Sequence, residues 1–90
     1  MIQLIEVVKN TRSYELREVF VNPRHVVMLR EDHATRSAIN EGKVIEGMAP
    51  RQQYTRITVD NGTTGSQFVV VGSPGIVESK LKSGRQLLNG

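Results

Sequence analysis

The sequence predicts an α+β domain: a mostly antiparallel sheet of about five strands, one C-terminal helix and a long inserted loop over 31–53. Three observations predict it. First, two runs rich in branched and aromatic side chains, Val19-Phe20-Val21 and His25 to Leu29, meet at Asn22-Pro23. Proline lacks the N–H a ladder needs and biases the residue before it towards extended or turn geometry, so this is a strand–turn–strand join. Second, Asp60-Asn61-Gly62 separates Tyr54–Val59 from Gln67–Val71, and Asn-Gly is a strong hairpin signal. Third, Gly72-Ser73-Pro74 opens a helix, with serine as cap and proline at the first helical position.

The elements follow in order. Residues 2–8 read as a strand with Ile2 and Leu4 on one face and Ile5 and Val7 on the other; apolar on both faces, it suits a central or covered position. Polar residues 9–13 form a loop. In the second strand, Leu16 to Val21, the residues Leu16, Glu18 and Phe20 alternate with Arg17, Val19 and Val21, so neither face is cleanly apolar and an exposed edge or a mixed interface is open. The third strand runs from His25 to Arg30. Within 31–53, Thr35 is placed to cap a short helix ending at Gly42, and Ile39, Val44, Ile45 and Met48 are scattered without a period. A stretch of that length without a strand is long for a compact domain and reads as a binding loop or assembly arm. In 67–71 the continuous apolar run suits a buried strand. In the C-terminal helix Ile76, Val77, Leu81 and the stem of Lys80 form one stripe, and Ser83-Gly84 ends it. The domain is therefore 1–84, with 85–90 as a tail on which Leu87 and Leu88 are free to dock on a neighbouring subunit.

Ninety residues make one domain, and so small a core favours self-association. With no cysteine, disulfides and thiolate metal sites are excluded. The N-terminus has no basic region followed by a long apolar one, and no apolar run is long enough to span a bilayer, so a cytoplasmic protein without a membrane partner is expected. The formal charge is +3, and eight of the twelve cations are arginine. Arginine's planar fork suits phosphate and carboxylate, which keeps an anionic partner open, although nine acids are interspersed among the cations.

Chemistry is sparse. There is no nucleophile elbow and no P-loop, and His25 and His33 are the only imidazoles. His25 reads as a structural or surface histidine. Glu31-Asp32-His33 could supply oxygen and nitrogen ligands, but three adjacent residues rarely converge on one ion. No catalytic residue, metal or cofactor is expected, and the chain is read as no enzyme. Of the four aromatics, Phe20 and Phe68 are assigned to the core, leaving Tyr14 and Tyr54. Tyr54 with Arg51 and Arg56 is the one aromatic–basic cluster.

Residues 19–31 resemble the strand-Asn-Pro-strand segment of the small FlbD-type family of bacterial flagellar proteins, and residues 56–81 are similar to that family's second half. The likeness covers 39 of the 90 residues; its motifs specify turns and strand order, so it implies a fold and only weakly a function. The 31–53 insert and the Gly62-Thr63-Thr64-Gly65 hairpin depart from the compact pattern. Small proteins of this pattern also look familiar from phage genomes. The resulting expectation is a non-enzymatic binding module, homo-oligomeric and accessory, of bacterial or phage origin, whose partner is itself or a host protein engaged through the 31–53 arm. One alternative is a sequestering protein for anionic, nucleotide-type ligands at a subunit junction, using Arg24, Arg30, Arg36, Arg51, Tyr54 and Arg56. A second is RNA or single-stranded DNA binding through the same basic face.

Overall fold

A computed structural model describes residues 1–11, 13–40, 51–60 and 62–89, without the side chains of Asn40 and of 84–89. In these residues strands β1 (Ile2–Lys9) and β2 (Tyr14–Val21) form a hairpin. A 3₁₀ turn at Pro23–His25 leads into β3 (Val26–Glu31), then helix α1 (His33–Asn40). A second hairpin, β4 (Tyr54–Asp60) and β5 (Gly65–Val71), precedes helix α2 (Pro74–Asn89). The sheet is wholly antiparallel in the order β2-β1-β5-β4-β3.

The turns follow from their residues. Asn22 accepts the Arg24 N–H at 3.0 Å, and Pro23 sets the helical φ of the 3₁₀ turn. His25 therefore belongs to that turn and not to β3. At the second hairpin the Asp60 carboxylate accepts the Gly62 N–H at 2.7 Å, and Gly62 takes φ +97°, a conformation glycine adopts freely.

That 3₁₀ turn shapes the whole molecule, because it joins the two edges of the sheet. In a flat five-stranded sheet the edges stand about 19 Å apart at ~4.8 Å per strand. The five Cα steps from Val21 to Val26 reach at most about 18 Å, and less through a 3₁₀ turn. The sheet must therefore curl, bringing β2 and β3 together at that end. Accordingly Val21 of β2 and Val26 and Leu29 of β3 pack into one cluster with Leu4, Ile57 and Val70 on the inner face.

Helix α2 seals the inner face with Val77 and Leu81, both buried. Ile76 and Lys80 point outward, so the stripe is Val77 and Leu81, spaced four apart, and not the broader set the sequence predicts. The helix also runs past Gly84 to Asn89. A helical glycine costs only about 1 kcal/mol, and Arg85, Gln86, Leu87 and Leu88 are good helix formers. Any docking of Leu87 and Leu88 lies outside the described side chains. The start of α2 is fixed by β4: the Thr55 hydroxyl donates to the Gly72 carbonyl at 2.8 Å, and the Gly72 N–H donates to the Gln53 carbonyl at 2.9 Å.

On the outer face Val7, Tyr54 and Val69 form a second cluster with Tyr14, Val71 and Ile39 of α1. Two helices are thus present among the described residues, not the C-terminal one alone; the first is the short helix read within 31–53, and it starts at His33. Residues 33–40 are folded, so that part of the 31–53 insert is no loose arm; Gly42, Val44, Ile45 and Met48 lie outside the described residues. In β5, Val69 and Val70 are buried while Gln67 is exposed, because the strand leaves β1 after two paired residues.

Candidate functional site

Helix α1 begins at a charged junction. Asp32, 6% exposed, accepts from the Thr35 N–H at 3.2 Å and from the Thr35 hydroxyl at 2.7 Å, and its own N–H donates to the Tyr54 carbonyl. Asp32, not Thr35, is therefore the cap: its carboxylate reaches the free N–H of the first turn. Arg56 Nη2 completes the junction at 3.2 Å from Asp32 Oδ2. Burial by itself would raise the Asp32 pKa, but the Thr35 hydrogen bonds and the Arg56 charge outweigh it and hold the carboxyl below its usual value. Glu31 and His33 stand 3.6 Å apart beside it, and Gln53 donates to Glu31 at 3.4 Å. Among the described residues no three His, Asp or Glu side chains gather as a metal site.

The arginines divide into two groups. Arg30 and Arg56 are direct cross-strand neighbours on β3 and β4, with Arg36 on the helix that follows β3. Arg56 also lines an open groove of about 500 Å³ between α1 and the β1–β5 junction, together with Lys9, Glu6, Tyr14, Thr35 and Gln67. Arg24 lies apart, on the 3₁₀ turn at the other end of β3, and Arg51 is exposed ahead of β4. Tyr54 is only 2% exposed. Its ring is a core element, burial pushes its phenol pKa up, and it presents no face on which a base could stack. The aromatic–basic cluster therefore loses its aromatic member, while Lys9 joins the basic group unforeseen.

A different surface emerges on the outer face of the first hairpin. Phe20 is 60% exposed, Leu16 41% and Ile5 36%. Register places them together, since Gln3 faces Phe20, Ile5 faces Glu18 and Val7 faces Leu16 on the same side of the β1–β2 ladder. Helix α1 covers the Tyr54 side of this face, and Phe20, at the opposite end of β2 from Tyr14, lies outside the core. The alternation of β2 contains the signal: Leu16 and Phe20 occupy one face and Val19 and Val21 the other, and the curled sheet buries only the second. Opposite, the β3 edge is interrupted by a register shift between Val26 and Met28, at which Val27 turns outward, 63% exposed.

No family model, curated protein or solved structure matches the chain. Among the described residues no helix is long and apolar enough to cross a membrane.

Proposed function

We propose that this chain is a small non-enzymatic interaction module that assembles with copies of itself through β2, the edge strand of the first hairpin. The observation that carries this reading is the exposed apolar group Ile5, Leu16 and Phe20 on one face of a hairpin whose outer strand is a sheet edge. Scattered surface apolar residues are ordinary, but three on one face around Glu18, beside an open edge, mark a contact surface. The proposal moves the contact away from the 31–53 insert, part of which folds onto the sheet as α1. An accessory role in a bacterium or phage, and the likeness to FlbD-type proteins, belong to the same proposal. Size-exclusion chromatography with light scattering tests it. The wild-type chain should elute as a multiple of its own mass, and Leu16→Ser with Phe20→Ser should elute as a single chain that melts at the same temperature. A single-chain mass for the wild type would refute it.

A second reading is favoured by one arrangement, the Arg30–Arg56 pair beside the Lys9-lined groove. Arg30 and Arg56 face each other across the β3–β4 ladder, Arg56 is paired with Asp32, and Lys9 balances Glu6 in the groove that Arg56 lines, which leaves the charge of Arg30 for an anionic, nucleotide-type ligand. Calorimetric titration with adenosine nucleotides should then give heat that Arg30→Ala abolishes; no heat would exclude it.

A further inference from the structure

We infer that the contact is a specific one: β2 pairs antiparallel with β2 of a second copy of this chain, with Leu16 on the two-fold axis. The inference rests on the self-association reading above and goes further, because it names the register.

The two sheet edges are not equivalent. β3 has six residues and its ladder is broken by the shift at Val27. Bulges of this kind blunt an edge against further pairing. β2 has eight residues in unbroken register with β1, and among the described residues nothing pairs on its other side. Its Val21 end leads at once into the 3₁₀ turn that bends towards β3, so the accessible half of the edge is the Tyr14 half.

Symmetry then limits the choices. In an antiparallel two-fold pair one residue of β2 lies opposite itself, and its neighbours pair in mirror order. Centring on Glu15, Arg17 or Glu18 puts two like charges directly opposite each other, which is unfavourable. Centring on Val19 uses the end that turns away. Centring on Leu16 sets Leu16 against Leu16 on the outer face, where it is 41% exposed in the isolated chain. On the inner-facing side of the edge it sets Glu15 against the second copy's arginine at position 17, and the reverse.

Those charges are already arranged for it. Within one chain Arg17 Nη2 lies 3.2 Å from Glu15 Oε2, and both side chains are exposed. Bringing two such pairs together head to tail makes an alternating ring of two carboxylates and two guanidinium groups. Exposed ion pairs add little affinity, but they do discriminate register, since every shift by two residues sets like charges together or strands the charges against apolar partners. Leu16 and the backbone ladder supply the attraction and the charges select the alignment, joining two curled sheets through their β2 edges.

The test uses charge exchange, read by native mass spectrometry with circular dichroism as the check of folding. Glu15→Arg alone and Arg17→Glu alone should each weaken the homodimer by on the order of tenfold or more. Mixed in equal amounts they should form a 1:1 heterodimer, because the two basic positions of one chain then face the two acidic positions of the other. If both variants dimerise as the wild type does, or the mixture gains nothing, the register is wrong while self-association stands. If the wild type itself is a single chain, both proposals fall. Should either charge variant not fold, Leu16→Cys answers instead, as the chain has no other thiol. Mild oxidation should give a covalent dimer in the proposed register, and its absence would overturn that register.

Discussion

Arg56 reaches Asp32 at 3.2 Å while standing directly across the β3–β4 ladder from a second arginine, Arg30. Like charges so placed repel. Asp32 offsets that repulsion and at the same time caps α1 through Thr35, so one buried carboxylate ties β3, β4 and the helix together. Asp32→Ala removes both functions and should destabilise the fold by about 1–3 kcal/mol, a range that allows for Arg56 being partly exposed and able to rehydrate. Asp32→Asn keeps a capping side chain and should cost less. Urea denaturation of the two variants beside the wild type measures the difference.

The same carboxylate sets an acid limb. Its folded pKa lies below the unfolded value, so the stability it contributes is complete above the unfolded value, near pH 4, and is lost as the pH falls through the folded one. Glu15, hydrogen-bonded by Asn10 and Arg17, shifts in the same direction at the surface. Melting temperatures taken from pH 6 downward should fall in acid for the wild type and fall less steeply for Asp32→Asn. Parallel curves would contradict the assignment.

Among the described residues, the buried hydroxyl of Thr58 has no hydrogen-bond partner. Replacing it by the similarly shaped Thr58→Val removes an unmet polar group and keeps a β-branched residue in a strand. The variant should be more stable by up to about 1 kcal/mol, read as a raised urea midpoint with an unchanged slope.

Gly72 links β5 to α2 at φ +119°, and a Cβ there would stand 3.5 Å from Val77 Cγ2. Space is adequate, so backbone strain decides. Gly72→Ala should cost about 1 kcal/mol or more. Gly75, with nothing within 4 Å of its Cβ position among the described residues, is the matched control. Gly75→Ala should be stabilising or neutral, since alanine is the better helix former.

Much of the fold is legible because local chemistry dictates it. Asn22-Pro23, Asp60 with Gly62, and Ser73-Pro74 each act within a few residues, and each marks the boundary where the sequence places it. What stays hidden depends on contacts distant in sequence. Phe20 looks like a core residue until the curl set by the 3₁₀ turn decides which face of β2 is inside. Tyr54 looks like a ligand platform until α1 and β1 close over it with Ile39 and Val7. The capping role of Asp32 was masked by Thr35, the other residue able to start the same helix. The opposition of Arg30 and Arg56 is a matter of register across 26 positions of chain, which no local pattern states.

Amide hydrogen exchange at two protein concentrations, read segment by segment, tests most directly where the chain meets its copy. Self-pairing through β2 predicts that protection of residues 14–18 rises with concentration while the bulged β3 edge is unchanged. Protection of β2 that does not depend on concentration, or a rise confined to β3 or the α1 groove, would contradict it.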